Sequence, residues 1–274
     1  MNVYSNSDIK YLPIVSAVVL VTAAAIAMTW PYTVAFAHTE AAKLIEQAPY
    51  SGAAEASSFY QLASILDAGN HASYVGLAQI QIATGQSSAA LISLAYAGEG
   101  TAVLKLRLKT LMELRRYDEA LNLADSLAKP GASNADIVLS GLAYALAGRA
   151  RYIDALITRV DSPEAVQRLT RAKAGNVLLA TELYTSGLPN SSRALAETQP
   201  DTFERDLLLG RIAYAQNTNN SLIAATDYLR AAALINPSNQ STRELLAKIY
   251  TARGLFAEGS TQESLAQKIR SGQP

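Results

Sequence analysis

"RRYDEAL" (Arg115–Leu121) and "ARYIDAL" (Ala150–Leu156) share a tyrosine, an alanine and a leucine at the same spacing. Working outward from that alanine, a small residue recurs at Ala56, Ala90, Ala120, Ala155, Ala194, Ala225 and Gly259, on average about 34 residues apart. The intervals are rich in helix formers with short apolar periodicities, and no convincing alternating strand interrupts them. A period of this length marks a helical repeat. Two antiparallel helices approach closely only where one presents a small side chain, which is the role expected of these positions. Large residues such as Tyr74, Leu77, Tyr117 and Tyr152 are expected to fill the space between hairpins. No single hairpin covers its own apolar face, so the units must stack.

Three longer stretches define the unit. In "LDAGNHASYVGLAQIQIATGQSSAAL" (Leu66–Leu91), Tyr74, Leu77, Ala78, Gly85 and Ala90 follow the order large, large, small, turn, small. In "NPSNQSTRELLAKIYTARGLFAEG" (Asn236–Gly259), Asn236-Pro237 ends one helix and Leu246, Ala247 and Tyr250 line the next. There Gly254 turns the chain, and Phe256 and Gly259 begin a second helix. "LGRIAYAQNTNNSLIAATDYLRAAALINPSN" (Leu209–Asn239) fits if its turn "NTNN" carries about three extra residues. These stretches resemble the tetratricopeptide repeat family, although Ala68 stands where that pattern prefers proline. The resemblance covers roughly residues 50–270 and is weakest at 160–200, where Gly175 leaves one long helix or two open.

The resemblance implies an all-α fold: a right-handed superhelical solenoid of about six to seven hairpins over residues 53–270. It also implies a concave groove lined by the first helix of each hairpin. Carried over position by position, the groove takes Val75, Gln79 and Ile82, then Lys105, Lys109 and Met112, then Ser140 and Tyr144, then Arg211 and Tyr214, then Glu244 and Lys248. Such mixed residues suit a protein or peptide partner, with lysine and arginine meeting carboxylates. The family's carboxylate clamp pairs lysines with asparagines at these places. The asparagines are missing from this chain, which argues against capture of a chaperone C-terminus.

The N-terminus has another character. Residues 1–10 form a short tail, and from Tyr11 to Ala37 no residue is charged, long enough to cross a membrane as one helix. Tyr11, Trp30 and Tyr32 fall near the two interfaces of such a span. The competing reading is a cleaved signal peptide, with "AFA" (Ala35–Ala37) before His38 as the cleavage site. Lys10 before the span and the Glu40–Lys43–Glu46 cluster after it favour an exported C-terminal domain. Residues 38–52 read as a juxtamembrane helix or linker broken at "PYSG" (Pro49–Gly52).

Composition excludes several chemistries. Lys+Arg and Asp+Glu both count 23, so no net charge draws the chain to nucleic acid. Without cysteine there is no disulfide, thiolate metal site or cysteine nucleophile. The two histidines, His38 and His71, read as interfacial and loop residues. No phosphate-cradling glycine loop, HExxH or GxSxG motif occurs, so no catalytic, cofactor-binding or metal-binding residue is expected. The expectation is a single-span protein of the bacterial plasma membrane, holding a repeat domain as a scaffold or assembly factor of an envelope complex. The other readings are a chaperone-like holdase for exported chains and a structural subunit whose span packs inside a larger complex.

Overall fold

The computed structural model describes residues 32–35, 39 and 53–272. The tail, most of the expected span at 11–37 and most of the 38–52 linker lie outside the described residues. Among the described residues no helix is long and apolar enough to cross a membrane. Regular structure in that range is helical throughout. The chain divides into two compact units, Met1–Leu77 and Ala78–Pro274.

In the first unit, α1 (Ala53–Leu66) leads through the turn Asp67–Asn70 into α2 (His71–Ala83). Gly76 has a packing reason: a Cβ there would lie 2.3 Å from the ring of Tyr60. Ala63 is buried with Val34, against Phe59 and Leu66.

The second unit is organised by its turns. Helices α2 and α3 (Ser87–Tyr96) join through Gly85, and α4 (Thr101–Glu113) and α5 (Tyr117–Leu127) through Arg115. Helix α6 (Asn134–Leu146) joins a 3-10 turn (Ala150–Tyr152) and the short α7 (Ile153–Ile157) through Gly148. After α8 (Pro163–Ala174), α9 (Asn176–Thr185) and α10 (Pro189–Glu197) join through Gly187. After α11 (Phe203–Gln216) and α12 (Asn219–Ile235), α13 (Gln240–Ala252) and α14 (Phe256–Ser271) join through Gly254. Each of the five turn residues is left-handed, with φ between 58° at Arg115 and 79° at Gly85. Each time the next N–H reaches back five residues: Gln86 to Gln81, Arg116 to Leu111, Arg149 to Tyr144, Leu188 to Leu183 and Leu255 to Tyr250. This is the Schellman closure of a helix, and it fixes the exit direction identically in each hairpin.

Counting from these turns gives the packing register. Seven residues before the turn stand Ala78, Leu108, Gly141, Ala180 and Ala247; five residues after it stand Ala90, Ala120, Ile153, Ser192 and Gly259. The two positions meet across the hairpin. Ser192 Oγ donates to the Ala180 carbonyl at 2.7 Å. A Cβ on Gly259 would stand 3.2 Å from the Ala247 carbonyl oxygen and 2.9 Å from Thr251 Oγ1. Helix α11 turns into α12 at Asn217, also left-handed, with Thr218 and Ser221 forming a capping box. Gly210, seven residues before that turn, would place a Cβ 2.6 Å from Leu229 Cγ.

This register corrects the opening motif. Tyr117 stands two residues after its turn and Tyr152 four, so the matching letters occupy different places. Ala120 is fully buried, whereas Ala155 is exposed and Ile153 fills the hairpin's close-approach position. An isoleucine there is too bulky for the approach an alanine permits, and the second helix of this hairpin is reduced to a 3-10 turn and five residues. Tyr152 does not fill an inter-hairpin space; it is 43% exposed and stacks on Tyr144. Ala194 is likewise displaced as a marker: it is half-buried, while Ser192 and Ala196 are fully buried. Gly175, at φ 72°, divides the irregular stretch into α8 and α9. Helix α8 packs on α6, where Gly141 leaves room for Leu169, and on α9. The hairpin α9–α10 thereby reaches back to α4 and α6.

Candidate functional site

The groove positions inferred from the sequence separate into three places. The first is built on α4, whose Lys105, Lys109 and Glu113 recur every fourth residue and so share one face. Lys105 Nζ lies 2.6 Å from Asp136 Oδ1, near the start of α6. Burial pushes the Asp136 carboxyl up, but the Lys105 ammonium and the Ser133 hydroxyl outweigh it and hold the pKa below the ordinary aspartate value. Ser133, the cap of α6, donates to Asp136 Oδ2 at 2.6 Å and accepts the Asp136 N–H. Lys109 lines an open cavity whose wall includes Thr185 and Ser186 at the end of α9, and a Cβ on Gly187 would sit 3.5 Å from its Nζ. One turn on, Glu113 accepts the Ser191 N–H at 3.0 Å and its hydroxyl at 3.3 Å. The Ser191 hydroxyl also lies 3.4 Å from the Met112 carbonyl.

The Lys109–Glu113 end of this face therefore packs against residues 185–191 of the same chain, while the Lys105 side chain stays 37% exposed. Met112 is fully buried and Ile82 is 4% exposed, so neither lines open space; Gln79 is exposed. The physical reason is the returning hairpin: α8 intervenes between α7 and α9, and α9–α10 comes back against α4 and α6.

The second place holds Tyr144, apart from the lysines. Its ring stacks on Tyr152 with centroids 5.3 Å apart, and its hydroxyl donates to Asp125 of α5. Burial and the Asp125 carboxylate push the Tyr144 phenol up to about 12. Arg151 lies over the outer Tyr152 ring at 5.1 Å. Ser140 is buried and binds backbone: its hydroxyl reaches the Ala124 and Asp136 carbonyls. It lines nothing.

The third place is an open groove of about 610 Å³ between α11, α13 and α14, and it brings Tyr214 and Lys248 together. Arg211, one turn before Tyr214, is exposed and lies 3.3 Å from Ser241 Oγ. Its lining combines small apolar residues (Ala247, Ala252, Ala266) with side chains of both charges (Glu244, Lys248, Glu263, Arg270). Arg270 reaches across to Glu244 at 2.5 Å, and Gln240 donates to the same oxygen at 2.6 Å. These two bonds hold the Glu244 carboxyl below its ordinary value, Gln240 contributing most. The α14 wall is hidden in the sequence, where Thr261–Ile269 reads as a polar cap. Its signal is present nonetheless: Glu263, Ala266, Gln267 and Arg270 follow the i, i+3, i+4, i+7 spacing of one helix face.

Among the described residues no group of three or more histidine, aspartate or glutamate side chains is placed to hold a metal. What the third place offers is shape, hydrogen bonding and mixed charge. No family model matches the sequence, and no curated protein does. A solved structure of a tetratricopeptide repeat protein from Parabacteroides merdae ATCC 43184 is similar over 87% of this chain and 93% of its own, at 14% identity and a TM-score of 0.46.

Proposed function

We propose that this protein is a helical-repeat interaction protein that holds an extended segment of a protein partner in the groove between α11, α13 and α14. The observation that carries this reading is the open groove itself, whose lining combines alanines with side chains of both charges. A bound peptide buries apolar side chains against such alanines and pairs its charged groups with the charged side chains around them. The lysine-bearing face of α4 is assigned no partner, because residues 185–191 pack on its Lys109–Glu113 end and Lys105 is paired with Asp136.

The wider setting is read from sequence. The uncharged stretch 11–37 anchors the chain in a bacterial plasma membrane, the repeat domain is exported, and the protein acts as a scaffold or assembly factor of an envelope complex. The test is crosslinking in intact membranes followed by co-purification, with the wild-type chain beside a Lys248→Glu, Arg270→Glu double variant. A defined partner retained by the wild type and lost by the variant supports the reading. Capture of only lipid and bulk proteins, or equal capture by both chains, rejects it. Protease treatment of sealed cells tests topology: a protected C-terminal domain overturns the exported placement.

A further inference from the structure

Lys105, Lys109 and Arg168 converge on a cavity of about 230 Å³ whose wall also carries Asp136, Thr185 and Ser186. Two of the three cations have partners. Lys105 is paired with Asp136 at 2.6 Å. Arg168 is held by Glu182 at 2.8 Å and by the Ser186 hydroxyl at 2.8 Å, and Arg171 shares the same glutamate at 3.3 Å. Lys109 stands between them, half-buried, with no hydrogen bond or ion pair of its own among the described residues. Its charged neighbours are the like charges of Lys105 and Arg168.

A partly buried ammonium facing two other cations is unfavourable unless an anion joins them. The space is sufficient, being several times the ~30 Å³ that one water molecule occupies in the liquid. Gly187 lies beside the ammonium, a Cβ there being in ordinary contact with Nζ at 3.5 Å. Asp136 and Glu182 are already bound from the side, which leaves the Lys109 side of the cavity as the positive one.

We propose that this cavity is a binding site for a small oxyanion, phosphate or a compact carboxylate, held by Lys109 with help from Arg168 and Ser186. Its occupant would sit between α4, α6 and the α9–α10 turn and so tie the returning hairpin to the face it covers. The site is independent of the peptide groove and stands or falls separately.

The test is calorimetric titration of the full-length protein at low ionic strength, with inorganic phosphate in one arm and malonate in another. Single-site saturable binding is expected in at least one arm, weakened at least tenfold in Lys109→Met and Lys109→Gln and unchanged in Lys248→Met. Malonate displacing phosphate identifies a general oxyanion site; phosphate binding alone identifies a phosphate site. Absence of saturable binding in both arms overturns the proposal, as does equal binding by the Lys109 variants. A second readout needs no variant: phosphate should shift the side-chain NMR resonances of Lys109 and leave those of Lys248 in place. A uniform shift of all lysines would contradict the site.

Discussion

The carboxylate of Glu113 accepts the backbone N–H of Ser191 at 3.0 Å, although 78 residues separate the two. This contact joins the end of α4 to the start of α10 and closes the face that the sequence offered as a groove. Burial pushes the Glu113 carboxyl up, and the hydrogen bonds from Ser191 and Asn190 only partly offset it.

Truncating that acceptor should be costly. Glu113→Ala leaves the Ser191 N–H without its partner and should lower stability by about 1–3 kcal/mol, measured by urea unfolding. Glu113→Gln keeps an acceptor and removes the charge, so its effect depends on pH. A carboxyl with a raised folded pKa binds its proton more tightly in the folded state. Its stabilising contribution is therefore full below the ordinary value of 4.5 and is lost as pH rises through the folded pKa. The stability of Glu113→Gln relative to wild type should thus increase with pH across that window and level off above it.

The register of the third hairpin gives a sharper test. Ala155 is exposed, so Ala155→Lys should change stability by less than about 0.5 kcal/mol. Ala120 is fully buried at the close approach of α4 and α5, and Ala120→Leu should cost about 1–3 kcal/mol by overpacking. Ile153→Ala should cost about 2–5 kcal/mol through the cavity it leaves. If Ala155→Lys proves as damaging as Ala120→Leu, the letter match is right and the register counted from the turns is wrong.

Turn residues can be tested in both directions. Arg115 adopts φ 58° where four equivalent turns carry glycine, and Arg115→Gly should raise stability by about 1 kcal/mol. Gly254 is at φ 75° with open space around it, so Gly254→Ala should cost about 1–2 kcal/mol through backbone strain alone. Thermal melting of the two variants should move in opposite directions.

Tyr144 provides a spectroscopic check. Its phenol is pushed up to about 12 by burial and Asp125, and burial also raises the Tyr60 phenol, so ultraviolet titration should show these two ionising after the exposed tyrosines. Tyr144→Phe should remove one phenol's share of that late absorbance, leaving the Tyr60 share, and cost about 1 kcal/mol for the lost hydrogen bond.

Part of this architecture is readable along the chain and part is not. Gly85, Gly148, Gly187 and Gly254 mark the hairpin turns because glycine takes the left-handed conformation without strain. Counting from Gly148 places Ile153 correctly. Matching tyrosine to tyrosine does not, because side-chain letters recur more freely than backbone turns. Tyr214 and Lys248, singled out from the sequence, line one cavity because α11 and α13 carry regular registers. The covering of Lys109 and Met112 is not. It depends on the extra helix α8 bringing Ser191 back to Glu113, and no local pattern encodes a contact between residues so far apart.

The division of labour between the covered face of α4 and the open C-terminal groove is tested most directly by a diazirine-bearing lysine analogue placed at position 109 or at position 248 in intact membranes. From position 248, irradiation should yield an adduct with a separate polypeptide. From position 109 it should yield an adduct within the chain, to residues 185–191. A partner captured from position 109, with none from position 248, would contradict the account.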